Sequence, residues 1–143
     1  MRRVLMNVAV AMVLVGGGYA VGRAQGSRPL TSAVITAEQT VVADSGPWGE
    51  FRKHFGGTTS ATAEVLAGYV DLKPGQEPHP PHTHVDEEFL YLVEGSGTWS
   101  LNGKTIPAKA GDVLYTAPND LHGVKNTSAD KPLRFFVAKW RTK

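Results

Sequence analysis

The 143 residues amount to about one domain, 41% hydrophobic, with 16 glycines and 9 prolines, a mix that suits a turn-rich β protein better than a helical bundle. No cysteine is present, which excludes disulfides, zinc–thiolate sites and thiol catalysis. The net charge of +2 is misleading: Arg2, Arg3 and Arg23 fall in the first 24 residues with no acid beside them. The remainder carries 12 basic and 13 acidic residues, with no basic cluster that would point to nucleic acid.

The N-terminus reads as a separate object. Arg2 and Arg3 precede a charge-free run from residue 4 to residue 22, followed by Arg23-Ala24 and then polar Gln25-Gly26-Ser27. A basic start, an apolar stretch and small residues before a break predict a signal peptide over residues 1–24 and export to the periplasm or beyond. Cleavage falls after Gly22-Arg23-Ala24 or after Gly18-Tyr19-Ala20. The alternative is an uncleaved membrane anchor over residues 4–22, since 19 uncharged residues approach a spanning length. Four glycines and Asn7 dilute that run.

Residues 25–55 read as an N-terminal arm with one or two edge strands, carried by the β-branched runs Ala33-Val34-Ile35-Thr36 and Thr40-Val41-Val42-Ala43. Gly46-Pro47 marks a turn, residues 48–55 are aromatic and charged, and Gly56-Gly57 closes them. From residue 56 onward strand-like pieces recur at 63–72, 89–93, 97–101, 112–117 and 133–140. Asn102-Gly103 is a strong hairpin signal, because both turn positions tolerate positive φ. Lys73-Pro74-Gly75 and Ala117-Pro118-Asn119-Asp120 mark further turns. Evenly spaced short strands without helices predict an all-β antiparallel sandwich or barrel. Residues 89–93, Phe-Leu-Tyr-Leu-Val, are apolar on both faces. A half-exposed strand would alternate, so the outer face is expected to be covered by a second copy of the chain in a homodimer, or alternatively by the arm.

The chemistry concentrates in His82-Thr83-His84-Val85-Asp86-Glu87-Glu88. Residues two apart on an extended chain share a face, so His82, His84 and Glu88 have one parity. A straight strand would hold His84 and Glu88 roughly 13 Å apart, too far for one ion with ligands at about 2 Å. The chain is therefore expected to turn back across residues 85–87, with Asp86 and Glu87 in a solvated tip and Glu88 opening the next strand. His122, after the Pro118 turn, supplies a fourth ligand. Three imidazoles and a carboxylate suit one divalent ion of iron, manganese, nickel, copper or zinc, and leave positions open for substrate. Glu87 is the competing carboxylate, of the wrong parity. His79, in His79-Pro80-Pro81-His82, is either a solvated loop residue or a group held near the site by the prolines. Glu88 and His79 are the candidate catalytic acid–base groups. His54 reads as a surface or packing residue, and Tyr91, Trp99, Phe135, Phe136 and Trp140 as core or interface. Arg134 shares a face with Phe136 and Trp140; outward is expected, although an inward arginine would hold an anion.

These residues resemble the two motifs of the cupin superfamily. Residues 75–95 match the first: Gly75, then His82-x-His84, three residues, Glu88, six residues and Gly95, with one residue more than usual between Gly75 and His82. Residues 111–126 match the second: Gly111-Asp112, Pro118, His122 and Asn126. Here Asn119-Asp120 replaces the usual glycine and the Pro118-to-His122 spacing is one shorter, while Gly111 to His122 fits. The resemblance covers roughly residues 56–140 and is closest to small single-domain, conserved-barrel cupins. It implies a six- to eight-stranded antiparallel, jelly-roll-like barrel over residues 56–143, holding the metal inside an open mouth. It implies no single reaction. An oxidative, dioxygenase-type enzyme on a small oxygen-rich molecule is the first expectation. A redox-neutral isomerase, lyase or decarboxylase is the second, and a non-catalytic module for a small ligand or metal the third.

Overall fold

The computed structural model describes residues 29–143, so the expected signal segment lies outside the described residues. Nine strands follow in order: β1 (Val41–Gly46), β2 (Gly49–Gly57), β3 (Thr62–Leu72), β4 (Glu87–Glu94), β5 (Ser96–Leu101), β6 (Lys104–Lys109), β7 (Val113–Thr116), β8 (His122–Asn126) and β9 (Leu133–Thr142). They form a six-stranded sheet, β1-β2-β3-β9-β4-β7, and a three-stranded sheet, β6-β5-β8. Every pairing is antiparallel. Over the expected barrel, β3 to β9 make seven strands, within the expected six to eight, and the β1–β2 hairpin of the arm extends the large sheet at its edge. β2 runs through residues 55 and 56 and pairs with β3 along its length.

Local chemistry accounts for the turns. Asn102 and Gly103 join β5 to β6 with φ of 48° and 79°, the doubly positive pair that a tight hairpin of native twist requires. Gly95 sits at φ 84°, and a Cβ there would lie 2.4 Å from the Pro132 carbonyl oxygen; no other residue fits. The run Ala33-Val34-Ile35-Thr36 is not a strand. It leads into a single 3₁₀ turn, Ala37–Gln39, where the Gln39 side chain accepts a hydrogen bond from the Thr36 amide at 2.9 Å. A local side-chain acceptor outcompetes a sheet partner there.

Both sheets contribute to one core. Leu72, Leu90, Leu92, Leu133 and Phe135 from the large sheet meet Trp99 and Val124 from the small one. β4 alternates cleanly, with Leu90 and Leu92 buried and Phe89, Tyr91 and Val93 exposed. The arm does not cover this outer face among the described residues. Instead Phe89 rests against Tyr115 and Trp140, with ring centroids 5.2 and 5.6 Å apart, and stays 43% exposed.

Candidate metal centre

The site forms where three chain segments cross. His82 belongs to no strand, yet an isolated bridge pins it to the first residue of β8. The His82 amide donates to the His122 carbonyl at 2.9 Å, and the His122 amide returns the bond at 3.0 Å. The Asn119 amide donates to the His84 carbonyl at 2.7 Å, which fastens His84 to the Pro118 turn. Beyond it the chain reverses, and Glu88 enters as the second residue of β4, facing inward. The turn-back required by strand geometry is therefore present. Its tip is not fully solvated, however. Asp86 is 6% exposed, because it points at two cations, Lys139 Nζ at 3.5 Å and Arg141 Nη1 at 3.9 Å. Glu87 faces the other way and accepts a hydrogen bond from the Tyr115 hydroxyl at 3.0 Å, which removes it from the site.

One nitrogen from each of His82, His84 and His122 lies within 4.8 Å of the others. Glu88 closes the group, with Oε2 3.4 Å from His84 Nε2 and Oε1 3.2 Å from His122 Nε2. Ring orientation is fixed from behind. His84 Nδ1 lies 3.0 Å from the Asp86 carbonyl oxygen and His122 Nδ1 2.9 Å from that of Asp120. Backbone acceptors at Nδ1 select the tautomer that carries its proton there and leaves the Nε2 lone pair free, the usual support of a metal-ligating histidine. Both Nε2 atoms are buried without a hydrogen-bond partner, as is His82 Nδ1. Stranding such atoms costs about 1–3 kcal/mol each. A divalent ion would satisfy them, so the donor set fits one.

Electrostatics separates the imidazoles. Burial, followed by the neighbouring His79, His122 and His84, lowers the His82 pKa to about 4, against a partial opposing pull from Glu88. His122 is also penalised by burial, but the Glu88 carboxylate and the Asp120 carbonyl outweigh it and raise its pKa above the ordinary value. In the metal-free protein the two act oppositely on stability. His122 stabilises below its unfolded pKa and loses this as pH rises through its folded one. His82 stabilises above about 6.5 and loses this between about 6.5 and about 4. For metal the order matters: the His122 proton is the first competitor as pH falls. Retention should begin to decline while pH is still above the ordinary imidazole value of about 6.5, because His122 is raised above it, with His82 adding competition only near pH 4. Equilibrium dialysis against a fixed free-metal concentration checks this, and full retention down to about pH 5 would contradict it.

The four residues line a cavity of about 180 Å³ between the sheets. Its remaining wall is largely apolar, including Phe51, Leu66, Val70, Leu90, Phe135 and Val137. His79 is exposed and also lines the cavity, its ring edge-on to His82 at 4.1 Å. His54 packs against Tyr69 at 5.3 Å, away from this cavity. Arg134 points outward into a two-pronged pair with Asp71, at 2.6 and 3.0 Å. The inward cation of β9 is Lys139, which lines the cavity. Sequence reasoning passed over it, although it shares the parity of buried Phe135 and Val137.

Comparison with known proteins bears on the fold and the family. The chain is 43% identical over 47 residues to an oxalate-binding protein of Thermotoga maritima, covering 32% of this chain and 39% of that protein. It is 31% identical over 85 residues to a dimethylsulfoniopropionate lyase of Ruegeria pomeroyi, covering 59% and 54%. It therefore spans less than two thirds of the length of these curated relatives. The solved structure of a predicted oxalate decarboxylase from Thermotoga maritima matches with a TM-score of 0.60 at 25% identity, over 76% of this chain and 99% of that one. An RmlC-like cupin from Shewanella frigidimarina matches in fold, with a TM-score of 0.62 at 20% identity over 79% and 94%. The family model of the cupin domain matches residues 68–139, and with both motifs in place around a three-histidine group able to hold a metal, the chain belongs to the cupin family.

Proposed function

We propose that this cupin is a metal-dependent enzyme acting on a small oxygen-rich molecule by dioxygenase-type chemistry. The observation that carries the reading is the convergence of His82, His84, His122 and Glu88 on one wall of a mostly apolar cavity. His82, His84, His122 and Glu88 would hold a divalent ion, which, if redox-active, would supply electron transfer to dioxygen and polarise a chelating substrate. The Asp86 and Asp120 carbonyls hold two imidazoles in ligating orientation, and the apolar wall limits water. Apart from the ligands, the acid–base groups lining the cavity are Asp44, His79 and Lys139. Asp44 and His79 are exposed and Lys139 is paired with Asp86, which favours chemistry that needs no separate base. A redox-neutral lyase or decarboxylase is the second reading. It is favoured by the names of the matched relatives, and Glu88 or His79 would then move the proton.

Oxygen uptake by iron-loaded protein, supplied with a panel of small carboxylates, separates these readings. Uptake coupled to substrate loss supports the first. Substrate loss undiminished without oxygen supports the second. Binding without turnover leaves a non-catalytic ligand or metal module.

A second copy of the chain is the proposed partner. Phe89, Tyr91, Val93, Val113 and Tyr115 expose 39–58% of their surface on β4 and β7, and a contiguous apolar face of this kind marks an interface. Light scattering should report twice the monomer mass, and Tyr91→Glu should halve it. A monomer at micromolar concentration would refute the dimer.

A further inference from the structure

We infer that Lys139 is the anion anchor of the cavity and that the substrate carries two negatively charged groups, one for the ligand cluster and one for the Lys139 ammonium. This deepens the metal reading above and rests on it. The inner face of β9 runs Leu133, Phe135, Val137, Lys139, three buried apolar residues and then a charge. A cation at an inward position is unfavourable unless something compensates it. Asp86 is the ion-pair partner, at 3.5 Å, longer than a good hydrogen bond. Lys139 Nζ makes no hydrogen bond among the described residues, whereas the surface arginines Arg52, Arg134 and Arg141 meet carboxylates at 2.6–3.0 Å. The side chain keeps 24% of its surface accessible and lines the cavity. The ammonium therefore sits in a long ion pair with Asp86, on a side chain that also lines the cavity.

Beyond Asp86, the neighbouring charges are engaged elsewhere. Glu88 lies opposite Lys139 in the β4–β9 register, but both its oxygens lie against His84 and His122. Asp44 is exposed and accepts from the Ser45 amide at 2.8 Å. Arg141 also approaches Asp86, yet its shorter contact is to Glu64 at 3.0 Å. Size sets the other limit. A cavity of about 180 Å³ is close to the ~150 Å³ that accommodates benzene, so the dianion has few heavy atoms. A short dicarboxylate meets both conditions. An ammonium binds such a group as a compact point charge.

Calorimetric titration of manganese-loaded protein with malonate, succinate and acetate tests this. Wild type should bind one of the dianions more tightly than acetate. Lys139→Gln should weaken that dianion by about tenfold or more, the loss of one charge-assisted hydrogen bond, with acetate affinity and metal content nearly unchanged. Lys139→Met, which keeps the apolar stem, should behave like Lys139→Gln, and Lys139→Arg should recover part of the affinity. Equal dianion affinity in wild type and Lys139→Gln would overturn the anchor and leave the metal reading standing. So would wild-type binding of acetate with no advantage for either dianion. Failure of wild type to bind any of the three carboxylates would overturn the anchor, and a wild type that retains no manganese would overturn the metal reading. If Lys139→Gln and Lys139→Met both lose metal or fail to fold, Lys139 is a structural brace for Asp86 and the anchor is wrong.

Discussion

His122→Ala should strip the protein of most of its metal. His122 is 1% exposed, sits at the start of β8, and is the one ligand supplied by the second motif. The other three lie within seven residues of one another, and only the fold brings His122 to them through the paired bonds with His82. A residue that merely supports a ligand is worth about 10–100-fold in metal affinity, so removing a ligand should cost at least about 100-fold. Metal that binds the native state alone stabilises it by about 2.7 kcal/mol at a hundredfold excess over Kd. Chelation of wild type should accordingly lower Tm by roughly 10 °C, and chelator should do nothing further to His122→Ala. His82→Ala should match it. Glu88→Gln keeps the shape and loses the charge, so metal retention should weaken without vanishing. Glu87→Gln is the control, because Glu87 faces Tyr115. Elemental analysis and a chelator melt on each variant suffice. Full stoichiometric metal in His122→Ala, with an unchanged chelator response, would exclude this ligand set. His79, already against His82, would be the first replacement ligand to try.

Parity and reach carried most of the site reading. His82, His84 and Glu88 share a side only if the chain reverses at residues 85–87, and a strand rise of about 3.3 Å per residue makes that reversal compulsory. The same arithmetic separates Glu88 from Glu87. Asp86 escaped it. In sequence it is an acidic turn residue like its neighbour, and its burial depends on Lys139 and Arg141, more than fifty residues away. Long-range charge pairing leaves no local periodicity to read. Lys139 escaped for a related reason: an alternating strand that ends on a lysine looks like a strand reaching solvent. The two-faced apolar pattern of residues 89–93 was read correctly as composition, but neighbours along the outer face, Tyr115 and Trp140, come from β7 and β9. The β-branched run at residues 33–36 shows the opposite failure. Propensity favours a strand there, yet a strand needs a partner edge.

The largest loss of stability outside the site should come from Asn126→Ala. Asn126 closes the second motif and is fully buried at the end of β8. Its Nδ2 donates toward the carbonyls of Leu72, Lys73 and Lys131 at 3.2, 3.1 and 2.8 Å. Its Oδ1 accepts from the Ser128 amide at 3.0 Å. One amide thus ties the end of β3 in the large sheet to β8 in the small one and to the loop entering β9. Alanine would leave several of those backbone groups without a partner in a site too tight to admit much water. The expected cost is about 3 kcal/mol, visible as a lower urea midpoint with an unchanged m-value. Asn126→Asp is the sharper test, because it keeps the shape and the Ser128 bond while turning the donor into an anion that faces three carbonyl oxygens. That variant should be at least as unstable as alanine at neutral pH. The carboxyl should titrate above its ordinary value and carry its penalty only where it is ionised. Stability lost relative to wild type should therefore be regained as pH falls through the raised pKa, since the protonated acid can donate again. An Asn126→Ala protein within about 0.5 kcal/mol of wild type would show that the three carbonyls find other donors, and that the two sheets do not depend on this residue.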